Sequence, residues 1–321
     1  MLRLGFTLAA LAAFGGCGLG FDPQSLVTNP RVLAMVADAP EIPFDGATTV
    51  TAVVAHPEQT AGLAFSACPL ALGSAAQYAC ALPEVPLPAS GATAAFEAAL
   101  VAPFLDGLPA AFPLVAPVLK QIVTQRDTCL RAALAGWDAC RAGPGADPQA
   151  CADAGAAATL ACLRAGGMDV MLHLVLTLAD GTTRDAYKRI RLRDPAPGVT
   201  PNRNPGLTGV VLDGRTIADG DTVTAVPGAA LALLPVLARD AIERYVDDTG
   251  AAATEELFIS WFATAGDFEY IRSLPSVPDD RLTLPAALQG PITVWVIAHD
   301  NRYGASVLSF QITTAADAGT P

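Results

Sequence analysis

The sequence predicts a mainly β protein: two β-sandwich domains in tandem, the first carrying a disulfide-stapled α-helical hairpin as an insertion. Three observations lead there. Short runs of alternating apolar residues, bounded by Pro, Gly and Asp, recur on both sides of one Ala-rich segment. That segment changes to the i, i+3, i+4 spacing of a helix. Within it Cys129, Cys140, Cys151 and Cys162 follow one another at a constant step of eleven residues.

The chain opens MLRLGFTLAALAAFGGC, with one positive charge at Arg3, an apolar run from Leu4 to Phe14, then Gly15-Gly16-Cys17. The run is too short to span a bilayer, and small residues before a cysteine resemble bacterial lipoprotein signals. Residues 1–16 are therefore expected to be removed and Cys17 acylated, which makes the lipid bilayer the first partner. Several acyl chains on one residue anchor stably, because each buried methylene contributes about 0.8 kcal/mol. Gly18 rather than Asp follows the cysteine, so the outer membrane is the expected destination. Residues 17–29, Gly-rich and polar, read as a lipidated tether.

Charge excludes one class of function. Lys and Arg number 19 against 31 Asp and Glu, for a net charge of −12. An acidic chain without a basic patch is a poor ligand for nucleic acid and is repelled by anionic lipid. The 28 Gly and 26 Pro favour strands joined by turns. With Cys17 acylated, six cysteines remain, an even number that in an exported protein argues for disulfides.

The first domain is placed at residues 30–194. RVLAMVADAP from Arg31, TTVTAVVAHP from Thr48 and LAFSAC from Leu63 read as strands. Cys68 and Cys80 bracket a short loop, and a local disulfide is their simplest pairing. The insertion is placed at about 90–167. Its apolar, Pro-punctuated start, Ser90–Pro117, either packs over the sandwich or offers a patch to a partner. A first helix is expected from Pro117 to Gly143, and a second from the N-cap Asp147, with Pro148 behind it, to Gly166-Gly167.

Eleven residues are three helical turns plus about 20°, so Cys129 and Cys140 share one face, as do Cys151 and Cys162. Partners on one helix lie about 16 Å apart, far beyond disulfide reach. An antiparallel hairpin instead brings Cys140 to Cys151 and Cys129 to Cys162. Zinc ligands come in closer Cys-x2-4-Cys pairs, so the four sulfurs read as structural. Strand character resumes at Met168 with a hairpin turning at Ala179–Thr182.

Residues 195–206, PAPGVTPNRNPG, read as a linker. The second sandwich is placed at 207–314 and a frayed tail at 315–321. Its strands are LTGVVLD, DTVTAV, ALALLPVLA, EELFISWFATAG, RLTLP, PITVWVIAHD and ASVLSFQIT, with Trp261 as a core anchor.

The stretches RVLAMVADAP, LAFSACPL, NRNPGLTGVVLDG and FISWFATAGDFE…LTLP…ITVWVIAHDNRYGAS, together with the cysteine-terminated leader, resemble uncharacterised predicted lipoproteins with immunoglobulin-like domains found in myxobacteria and their relatives. The resemblance covers most of the mature chain outside the helical insertion. It implies that both sandwiches are immunoglobulin-like, and it carries no activity.

Catalysis is not expected. The three histidines, His56, His173 and His299, belong to no nucleophile elbow, zinc helix or nucleotide loop. No cofactor is expected beyond the lipid on Cys17. Calcium is the one ion for which the acidic turns supply oxygens, at Asp247, Asp248 and Asp300, although Asp is equally an ordinary turn residue. The chain therefore reads as a non-enzymatic envelope protein: a structural or partner-binding module, an accessory subunit of a surface assembly, with a protein partner. The alternative is a surface adhesin or glycan binder using loops of the second domain.

Overall fold

The computed structural model describes residues 23–123, 127–195, 198–247, 250–287 and 289–313. The leader, Cys17, Asp248 and the tail at 315–321 lie outside the described residues. The chain forms two immunoglobulin-like β-sandwiches with a helical insertion in the first.

In the first sandwich, a four-stranded sheet runs in the order Arg31–Ala37, Ala47–Ala55, Thr93–Glu97, Ala89–Ser90. It faces a five-stranded sheet ordered Glu41–Ile42, Thr183–Leu192, Met168–Leu178, Thr60–Cys68, Val85–Pro86. Period-2 alternation decides what goes inside: Val170, Leu172 and Leu174 pack inward with Val50, Phe65, Phe96 and Ile190. Asp169, Met171 and His173 consequently lie on the opposite face of the same strand.

The second sandwich pairs a sheet ordered Arg215–Ile217, Leu207–Leu212, Ala230–Leu237, Asp280–Thr283, Asp267–Phe268 with another ordered Thr222–Thr224, Ala305–Thr313, Ile292–Asp300, Leu257–Ala263, Arg272–Ser273. Trp261 is fully buried at its centre, and its indole Nε1 donates to Ser273 Oγ at 2.9 Å. That bond satisfies the ring's only donor inside an apolar core.

The insertion holds three helices: α1 (Ala102–Ile122), α2 (Thr128–Ala142) and α3 (Pro148–Gly166). α3 begins as expected, with Asp147 accepting from the backbone of Gln149 and Ala150. Cys129 is bonded to Cys162 and Cys140 to Cys151, each pair with Cα atoms 5.6 Å apart; Cys68–Cys80 closes the loop before. The expected single helix from Pro117 to Gly143 is corrected to two elements: Pro117–Ile122 is the end of α1, which starts fifteen residues earlier and runs through Pro109, Pro113 and Pro117, and Thr128–Ala142 is a separate helix. Each proline removes an N–H and one i→i−4 bond. Their four-residue spacing puts all three along one stripe, where Pro113 and Pro117 face solvent. Water can take up the carbonyls so freed, while Leu105, Leu108, Phe112, Val115 and Leu119 bury the opposite stripe. Ala98–Ile122 is long and apolar enough to cross a membrane by length and composition. Here Leu105 packs into the core of the first sandwich, and the rest of that stripe builds the insertion's own core with Trp137 and Ala156.

Two further expectations shift. Thr93–Glu97, placed in the insertion, pairs with Ala47–Thr51 and belongs to the sandwich. The described part of the tether is docked: Val27 is buried, its N–H donates to Ala263 O at 2.8 Å, and Ala263 N–H donates to Ser25 O at 2.9 Å.

Candidate functional site

Where the three parts of the molecule meet there is a cleft of about 820 Å³. Its floor is the outer face of the first sandwich's larger sheet. Strand alternation puts Arg189 and Arg191 on that face, beside Asp169 and Met171, with Arg193 continuing the row. One wall is the loop stapled by Cys68–Cys80, including Ser74 and Tyr78. A second is the insertion, from Leu119 to Val123 and around Cys162–Gly167. The third comes from the other domain: Tyr245–Asp247 and Asn301–Tyr303. Its volume lies in the range of about 300–1,000 Å³ usual for ligand sites.

The guanidiniums are held rather than free to swing. Asp169 pairs with Arg189 at 3.2 Å and with Arg191 at 3.5 Å. Arg189 also lies over the Tyr303 ring, 4.1 Å from its centroid, and donates to the Tyr303 hydroxyl. Arg191 donates to the Gly166 carbonyl at the end of α3.

Behind the cleft the two domains are clamped by one side chain. Arg302 donates to Glu41 of the first sandwich at 3.3 Å, to Glu243 at 3.3 Å and to Glu255 at 3.2 Å. Arg193 and Arg203 extend the set by pairing with Glu41 and Glu243, and Arg203 also reaches the exposed Asp240 at 3.5 Å, so three cations meet four carboxylates. Burial raises the Glu255 carboxyl above its ordinary range. Asn202, in the expected linker, is buried and donates to the Arg302 carbonyl at 2.9 Å. The linker is therefore part of the clamp.

The turn that presents Arg302 and Tyr303 is written in AHDNRYG. Asp300 Oδ1 accepts from the backbone N–H of Arg302 and of Gly304, both at 2.7 Å. A Cβ at Gly304 would fall 2.1 Å from Asp300 Oδ2 and 3.0 Å from the Arg203 carbonyl, so any other residue would have to displace that carboxylate. Tyr303 sits at φ 78°. Asp300 thus closes its own turn. Asp247 likewise accepts from Ala251 N–H at 3.0 Å, in the turn joining Arg244–Val246 to Ala252–Thr254. Among the described residues, no group of three or more His, Cys, Asp or Glu side chains is arranged to hold a metal.

Each histidine has a structural position. His56 contacts the Val27 carbonyl through Nε2 at 3.0 Å and helps dock the tether. His299 stacks on Phe258, and burial, reinforced by Lys188 and Arg272, lowers it to about 4. His173 stacks on Tyr187 and lies between Glu84, at 3.1 Å, and Asp185, at 2.9 Å. Burial opposes its charge, but the bonds to Asp185 and Glu84 prevail and raise it above its ordinary value. Ser66 donates to Glu84 rather than to the imidazole.

The site residues that sequence reasoning passed over are Arg189, Arg191, Arg193, Arg302 and Tyr303. The period-2 arginines in KRIRLRD carried the signal for the first three, since that spacing places them on one strand face.

No family model matches the sequence, and no curated protein matches it. Among solved structures, a nucleoside hydrolase-related hypothetical protein from Saccharophagus degradans aligns at 14% identity and TM-score 0.26 over 36% of this chain; the chain spans only 26% of that protein. The fibronectin(III)-like modules of Clostridium thermocellum CbhA align at 11% and 0.23, over 89% of this chain and 94% of that one. Bacteroides ovatus SGBP-B, solved with a mixed-linkage heptasaccharide, aligns at 10% and 0.22 over 89% and 70%. Such scores carry no argument. The fold rests on the strand orders and registers themselves.

Proposed function

We propose that the protein is a non-enzymatic, lipid-anchored envelope module of the outer membrane that binds a protein partner in the interdomain cleft. One observation carries the reading. The cleft is built from three separate parts of the chain and held by a buried clamp, so its arginine and tyrosine side chains are positioned before any partner arrives. Pre-organisation of this kind lowers the ordering cost of binding, and Arg and Tyr are the residues that most often anchor interfaces. Outside the cleft, Ser66 and His173 both bond to Glu84 instead of to each other, so that group does not set a hydroxyl on the imidazole. A protein is favoured over a glycan because the rings that would serve as sugar platforms are engaged. Tyr303 carries Arg189, Tyr245 carries Arg302 at 4.5 Å, and Tyr78 packs on Tyr187 at 5.3 Å.

The test is site-specific photo-cross-linking in the native envelope, with the probe at Gln121 or Ser74 in the cleft and at Arg215 outside it. A discrete protein adduct from the cleft positions alone is expected. Normal levels of protein without such an adduct would overturn the reading.

A further inference from the structure

Ten large apolar side chains are exposed among the described residues, and four of them, Tyr270, Ile271, Leu274 and Val277, fall within eight residues, two on the approach to the Arg272–Ser273 strand and two in the turn after it. The loop is ordered. Leu274 and Val277 exchange backbone hydrogen bonds, at 3.3 and 2.9 Å, around Pro275-Ser276, which sets their side chains next to each other at the tip. Ser273 anchors the base through Trp261, and Asp280 accepts from Tyr270 N–H at 3.0 Å. A hairpin tip facing only water would normally carry polar residues.

The position of this loop relative to the tether gives the patch a meaning. The Leu257–Ala263 strand has one flank paired to Ile292–Asp300. Its other flank receives two segments: Ile271–Ser273, with Trp261 N–H reaching Ile271 O, and two residues further on Ser25–Val27 at Ala263. The chain arriving from Cys17 therefore meets the fold on the same sheet edge that carries the apolar loop. Six peptide steps separate Cys17 from Pro23, and even fully extended they reach only about 20 Å. An acylated Cys17 keeps the bilayer within that distance of this edge.

We propose that the Tyr270–Val277 loop is a second membrane contact, seating Tyr270, Ile271, Leu274 and Val277 in the interface of the bilayer that holds the lipid anchor. The inference rests on the acylation of Cys17 proposed above. Tyrosine and aliphatic side chains suit that boundary, the ring keeping its hydroxyl among headgroups. Asp267, Glu269 and Asp279 flank the loop and oppose an anionic surface, so the fitting occupant is a zwitterionic one. With two points of attachment the protein is held at a fixed orientation, whereas a tether alone lets it pivot.

The experiment uses the full chain, processed in a bacterial envelope and reconstituted in phosphatidylcholine vesicles with or without brominated acyl chains. Intact-mass spectrometry first reports whether Cys17 is acylated. Leu274→Trp and, separately, Val277→Trp place a probe in the loop; Leu114→Trp, at a position 80% exposed on α1, is the control. The expected result is a blue-shifted loop tryptophan quenched several-fold more than the control by brominated lipid, without enhancement by added phosphatidylglycerol. An acylated protein whose loop probes are quenched no more than Leu114→Trp overturns the loop contact and leaves the anchor standing. A protein without acyl chains on Cys17 overturns both. A blue shift that needs no vesicles and grows with protein concentration assigns the patch to a second copy and also overturns the proposal.

Discussion

Among the described residues, the unit built from α1, α2 and α3 closes around ten buried side chains of its own and Leu70 of the neighbouring loop, and two disulfides cross it. The second sandwich gathers seventeen around Trp261 and has no cysteine at all. Both are folded parts of one chain, yet they reach stability by different routes. A small core buries too little apolar area to offset the ordering of its own backbone. Three helices, one of them missing hydrogen bonds at three prolines, are such a case, and cross-links that restrict the unfolded chain compensate. A sandwich whose central strands are paired on both flanks and whose core is filled around a large aromatic residue needs no such help.

The second sandwich depends most on its apolar core. Trp261→Ala removes a fully buried indole and also leaves Ser273 without its donor. The expected loss is about 4 kcal/mol, read as a lower denaturant midpoint for the second domain. A loss well under half of that would mean that the surrounding strands collapse into the space.

The disulfide side comes next. Cys129→Ser with Cys162→Ser opens a loop of 33 residues, for which chain entropy gives about 4 kcal/mol, commonly less in practice. Helical circular dichroism at 222 nm should then melt before the strand signal. A single unchanged transition would show that α1–α3 packing suffices without the staple.

The smallest effect sharpens the comparison at the junction between domains. Lys188 lies on the inward side of its strand and donates to the Tyr303 carbonyl. Burial lowers it from 10.5 to about 8. Between those values the unfolded chain holds a proton that the native state has released, so stability rises with pH through this window and is lost as pH falls towards 8. The full window corresponds to about 3 kcal/mol, and about 2 kcal/mol should be visible between pH 8 and roughly 10. Measured as a difference against Lys188→Met, which cancels the other titrating groups, wild type should gain on the variant as pH rises. A pH-independent difference would place the Lys188 ammonium in contact with water.

Much of the fold was legible because its signals are local. Alternation located the long strands, Asp147-Pro148 marked the start of α3, and the eleven-residue cysteine step implied both cross-links of the hairpin once helices were assumed. The extent of α1 was not legible, because proline propensity argues against a helix and only packing of Leu105, Phe112 and Leu119 overrides it. The cleft was legible in part: KRIRLRD announces a row of arginines on one face, but not what stands opposite.

By itself, then, the sequence determined the two sandwiches, the cysteine pairs of the staple and local features such as the Asp147 cap and the Ala179–Thr182 turn, since periodicity, capping and helical geometry act between residues near one another in the chain. Tertiary structure alone decided that Glu41 meets Arg302, that Tyr303 meets Arg189, and that Ser25–Val27 docks on Ala263 beside an apolar loop. These contacts span 261, 114 and more than 230 residues. No local propensity encodes them; they follow from which faces remain to be covered after each domain has closed its own core.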